Sequence, residues 1–167
     1  MFGYPATLTT EASQVVVYLV TEVGLNNTVP ARRIAEDLGM EEAFVLDAVQ
    51  ELRGREAIAR HGPEGRITSH AGPKAPAWLY VPEGVLRHDP WEDMLAVARS
   101  VARRETATPQ EVEEDTALSP ERLSIAAECL QYDGKLRVVK FHGRSEYSFN
   151  EAHSTAETLR FVRSNEA

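Results

Sequence analysis

The chain of 167 residues contains one cysteine, Cys129, so no intramolecular disulfide is possible and a reducing compartment is the natural setting. It lacks a long apolar run. The longest, "VVVYLV" at Val15 to Val20, is far too short to span a bilayer, so no membrane association is expected. The start, "MFGYPATLTT", has neither a basic stretch nor an apolar core and reads as no signal peptide. These absences predict a cytoplasmic protein. Positive charge is scarce as well, with 18 Lys and Arg against 26 Asp and Glu, a net charge of −8. The deficit is even, −4 in residues 1–89 and −4 in residues 90–167. That balance opposes non-specific binding to nucleic acid, although it leaves room for a local basic patch. The five histidines, His61, His70, His88, His142 and His153, show no HxxxH spacing, and no CxxC is present, so no metal site is expected. A phosphate-binding glycine loop, a nucleophile elbow and a paired-carboxylate motif are all missing, and nothing points to an enzyme or a cofactor.

What is present is a repeat. Sliding the chain by 78 residues places Ile34 on Val112, Met40 on Leu118, Val45 on Leu123, Ala48 on Ala126, Leu52 on Leu130 and Ile58 on Leu136. Few of these residues are identical, but all are apolar, and a shared apolar pattern means shared buried faces. Each copy opens with a helix, about Thr10 to Val23 and about Pro90 to Arg104. A short helix follows, about Ala31 to Leu38 and Pro109 to Thr116, with Gly39 ending the first and Thr108-Pro109 opening the second. The third helix spans about Glu41 to Arg53 and Pro120 to Tyr132, with an i, i+3, i+4, i+7 stripe at Val45, Ala48, Val49 and Leu52 and its counterparts.

Strand signals come next. "LRVVKFHGRSEYSF" (Leu136 to Phe149) predicts a hairpin turning at His142-Gly143-Arg144. "AIARHGPEGRITS" (Ala57 to Ser69) predicts a weaker one around Glu64-Gly65, and pairing of its first strand with "WLYV" (Trp78 to Val81) is the alternative. A last helix is expected over Glu151 to Asn165. The predicted fold is mainly α with small β-hairpins. It divides into a first module at 1–72, a proline-rich packed linker at 73–89, and a second module at 90–167 that includes the C-terminal helix.

Three helices followed by a hairpin resemble the winged helix-turn-helix superfamily, here as two tandem copies. The first half is faintly similar to the iron–sulfur winged-helix repressors in "LTTEAS" (Leu8 to Ser13), "RIAEDLGM" (Arg33 to Met40) and "RHGPEGRI" (Arg60 to Ile67), without their cluster cysteines. The tandem arrangement also resembles the accessory subunits of bacterial condensin complexes and the small subunits of ESCRT complexes, which implies protein binding. The superfamily implies DNA binding through the third helix. Here that helix exposes Glu42, Asp47 and, in the second copy, Glu121 and Glu128, which work against phosphate contact. The wings are basic instead. Arg53, Arg55, Arg60, His61 and Arg66 mark the first, and Arg137, Lys140 and Arg144 the second. Two partner readings follow: a regulator that meets DNA through its wings, or a protein-binding scaffold. For a protein interface, Leu46 and Ile125 are expected to be exposed on the third helices. Val16 and Val17 of the first helix and Leu159 and Val162 of the last are expected to join a partner or a second copy of the chain.

Overall fold

The computed structural model describes residues 7–58, 70–141, 143 and 145–166. They divide into two compact units, one ending at Leu86 and the other beginning at Arg87. The protein is mainly helical with two small antiparallel sheets.

In the first unit, α1 (Thr10–Tyr18) is capped by Thr9, whose hydroxyl accepts from the Ala12 N–H at 3.3 Å. It runs on into a π-helical turn, Leu19–Val23, and stops at Gly24, where φ is 84°. Strand β1 (Val29–Pro30) leads into α2 (Ala31–Leu38), which ends in a left-handed Gly39 at φ 62°. Helix α3 (Glu42–Gly54) follows. The core is the seam of α1 on α3, with Val15 and Val16 of α1 and Val45, Ala48, Val49 and Leu52 of α3 buried, and Leu19 and Val20 of the following turn are buried too. Ile34 and Ala35 of α2 are buried too. The apolar run at Val15 to Val20 is therefore consumed mostly within its own unit. Val16 is fully buried there, so it is a core residue and not a surface for a partner, while Val17 is half-buried.

The chain returns through β2 (His70–Ala71), antiparallel to β1 with Val29 opposite Ala71, and Ile58 bridges Pro73. The hairpin expected around Glu64-Gly65 lies outside the described residues. Its alternative, pairing with Trp78 to Val81, is overturned: Ala75–Tyr80 form a 3-10 helix with Ala75, Pro76, Ala77 and Trp78 buried. One proline and two alanines leave little to hold a strand there, and the Trp78 indole is buried. Gly72 sits where a Cβ would meet the Asn27 carbonyl oxygen at 2.1 Å.

The second unit repeats the plan. Helix α4 (Pro90–Arg104) is capped by Asp89, whose carboxylate accepts from the Trp91 N–H at 2.9 Å. Strand β3 (Thr106–Ala107), α5 (Pro109–Thr116) and α6 (Pro120–Tyr132) follow. A full capping box between Thr108 and Glu111 starts α5. Helices α2 and α5, and α3 and α6, correspond at both ends under the 78-residue shift. The order in this unit is thus helix, strand, helix, helix and then a strand pair.

The wing differs from expectation. Strand β4 (Arg137–Val139) pairs with β5 (Glu151–His153), which also pairs with β3, giving the order β3-β5-β4. The returning strand was expected to end at Phe149. Instead Tyr147 and Phe149 are buried by the returning loop, where the Tyr147 hydroxyl donates to Glu113 and the Ser148 N–H donates to Ser124 Oγ at 3.0 Å. Side-chain packing rather than ladder pairing accounts for their apolar character. Helix α7 (Ala156–Ser164) starts later than Glu151, because residues 151–153 complete the sheet and a capping box between Thr155 and Thr158 begins the helix. Val29 stands opposite Ala71 and Ala107 opposite Ala152, so three more residues separate the paired positions in the second unit.

Asp115 ties α5 to α4. It accepts from Arg104 Nε at 2.8 Å and Ser100 Oγ at 2.7 Å, and Arg103 lies 3.2 Å away. Arg104, Ser100 and Arg103 together hold its carboxyl well below the usual range. A carboxyl depressed on folding stabilises above its unfolded value near pH ~4, and that contribution fades as pH falls further. Acid titration of unfolding should therefore show the second unit weakening below that point, and Asp115→Asn should flatten the slope.

Two backbone substitutions should have opposite signs. Gly72→Ala forces the Asn27 backbone to move and should destabilise by roughly 1–3 kcal/mol. Ala117 occupies the place of Gly39 with φ 56°, so Ala117→Gly should stabilise by about 0.5–1 kcal/mol. Urea unfolding of both variants checks the pair.

Candidate interaction surfaces

The third helix of each unit buries one face against the first helix, so its function depends on the other face. On α3 that face carries Glu42, Ala43, Phe44, Asp47 and Gln50, all exposed, with Glu41 just before it. Phe44 is 49% exposed, a large apolar side chain with carboxylates on both sides in sequence. Leu46, expected to be exposed, is half-buried. The cations of neighbouring α2 are paired along their own helix, Arg32 with Glu36 at 3.3 Å and Arg33 with Asp37 at 3.1 Å. Asp37 also accepts from the Tyr18 hydroxyl at 2.6 Å, which holds its carboxyl down and the Tyr18 phenol up.

On α6, Glu121, Gln131 and Tyr132 are exposed. The arginine at the start of this helix is turned inward: Arg122 grips buried Asp93 of α4 through Nε at 2.9 Å and Nη2 at 2.6 Å. Ile125 is 4% exposed, which corrects its expected place on the surface. Residues 123–127 of α6 are all buried, and Ser124 among them accepts from the Ser148 N–H of the returning segment at 3.0 Å.

Four of the basic residues expected on the wings fall within the described residues. Arg60, His61, Arg66 and Arg144 lie outside the described residues. Arg53 and Arg55 are half-buried at the end of α3. In the second unit Arg137 is exposed, whereas Lys140 is held by Glu128 at 2.9 Å. Lys135 pairs with Asp133 and lies over the Phe161 ring, 5.3 Å from its centre. At the last helix, Val162 is buried with Phe161, while Leu159 is 40% exposed.

A groove of about 440 Å³ opens between the end of α6 and the wing, lined by Glu128, Gln131, Tyr132 and Lys140. Phe141 follows Lys140 and is 64% exposed, and Tyr132 is 53% exposed. Sequence reasoning missed both aromatics. The available signal was an apolar ring among polar neighbours, off the buried stripe of α6.

Burial pushes the Cys129 thiol up, which makes it inert as a nucleophile. Among the described residues no cluster of His, Cys, Asp or Glu is arranged to hold a metal ion, and no helix is long and apolar enough to cross a membrane. Neither a protein-family model nor a curated protein matches the sequence. Among solved structures, ScpB from Mycobacterium tuberculosis is similar over 94% of this chain and 98% of that one, at 20% identity and a TM-score of 0.33.

Proposed function

We propose that the chain is a non-enzymatic protein-interaction subunit that uses two winged-helix modules as a scaffold. One observation carries this reading: the outward faces of both third helices offer carboxylates and aromatics where a DNA reader offers cations. Affinity for DNA comes chiefly from neutralised phosphates, and Glu42, Asp47 and Glu121 oppose that term while Arg122 is spent on Asp93. An exposed phenylalanine suits protein association, because aromatic anchors dominate the energy of such interfaces. The resemblance of the tandem arrangement to condensin-accessory and ESCRT subunits points the same way. The lone buried cysteine suits a cytoplasmic setting.

Binding to random-sequence duplex DNA, followed by fluorescence anisotropy across salt, tests the proposal. The wild-type chain should show no steeply salt-dependent binding, and Glu42→Lys with Asp47→Lys should create some at low salt. Wild-type binding that falls steeply with salt and is abolished by Arg66→Glu and Arg144→Glu would overturn the reading in favour of wing-led DNA contact.

A further inference from the structure

Strand β4 is the end strand of the second unit's sheet, and the hydrogen bonding of β5 fixes which way β4 faces. The Ser154 N–H donates to the Glu105 carbonyl at 2.8 Å, so the backbone of Ser154 and, two residues earlier, Ala152 turns toward β3. Glu151 and His153 then turn toward β4, where they stand opposite Val139 and Arg137. The Val139 carbonyl accordingly accepts from the Asn150 N–H at 2.9 Å. By the same alternation, the Val138 N–H and C=O point away from β5, to the open edge.

Lys140, the residue directly after β4, lines a groove with Glu128, Gln131 and Tyr132 of α6. Its charges are internally neutralised by the Lys140–Glu128 pair, and Tyr132 gives it an aromatic wall. Arg137 is exposed on β4, and Phe141 is exposed just beyond the strand. We infer that the edge of β4 and this groove bind an extended segment of a partner protein, added to the sheet as a further strand. The segment that fits seats an apolar side chain by Tyr132 and Phe141 and carries a carboxylate opposite Arg137, since opposite charges across a strand pair stabilise it. Backbone pairing supplies affinity, and these two side chains supply selectivity.

The inference deepens the protein-interaction reading and rests on it. The test is selection of displayed random peptides on the intact chain. Enriched peptides should combine apolar and acidic residues and lose at least about tenfold in affinity, or ~1.4 kcal/mol, against Tyr132→Ser with Phe141→Ser. Arg137→Glu should reverse their charge preference, and Val138→Pro, which removes the outward N–H, should weaken them wherever circular dichroism shows a folded chain. Peptides that bind every one of these variants as tightly as the wild type overturn the inference. If such peptides are instead sensitive to Phe44→Asp, the protein-interaction reading survives without this site. If no peptide is enriched and wild-type DNA binding depends on Arg66 and Arg144, both fail.

Discussion

The packing of the third helix on the first governs each unit. Val15, Leu19, Val45, Val49 and Leu52 are each almost wholly removed from water in the first unit, and burial of such side chains contributes about 1.5–3 kcal/mol apiece before chain entropy is subtracted. A helix committed in this way has one free face. The stripe spacing fixes which residues occupy it, so the chemistry of α3 and α6 toward partners is largely settled by the core. The second and third helices begin and end at equivalent positions in both copies, while sequence identity between the copies is low. The constraint acts on buried volume and capping, not on identity.

One exchange within this seam accounts for much of the difference between the units. Under the 78-residue shift, Val15 corresponds to Asp93 and Phe44 to Arg122. In the second unit a carboxylate enters the seam, and the arginine folds in to neutralise it, because an unpaired buried charge would cost far more than the pair does. His88 stands 3.7 Å from the same carboxylate. In the first unit Val15 asks for no counter-ion, and the residue at the matching position, Phe44, remains outward. The same scaffold thus gives one third helix an exposed aromatic and removes a cation from the surface of the other.

The parts legible in the sequence are those fixed by local signals. Thr108 at a cap, Gly39 at a left-handed stop and the i, i+3, i+4, i+7 stripe each act within a turn or two, and the helices follow them. The second wing was misread because Tyr147 and Phe149 alternate as a strand would, whereas their burial comes from packing against elements some 25 to 35 residues earlier in the chain. Ile125 was misplaced because the stripe marks only the face toward the first helix, whereas residues 123–127 of α6 are all buried. The acidity of the third helices was plain from the sequence. The groove beside Tyr132 was not, because an aromatic near a helix end gives no sign of which way it faces until the neighbouring strand is placed.

Charge on a wing is a poor guide to its partner unless its local pairing is known. Lys135, Arg137 and Lys140 form a run without an intervening acid in sequence, yet two of the three have partners: Lys135 meets Asp133 and Lys140 meets Glu128. Ion pairs at a protein surface are individually weak, but a lysine already beside a carboxylate brings little net positive potential to a phosphate. Arg137, opposite His153 with Glu151 nearby, is what remains of that run as outward charge. Among the described residues of that run, one arginine is a weak basis for holding a polyanion by counterion release. Under the strand-addition inference, it selects among extended segments that differ in one carboxylate.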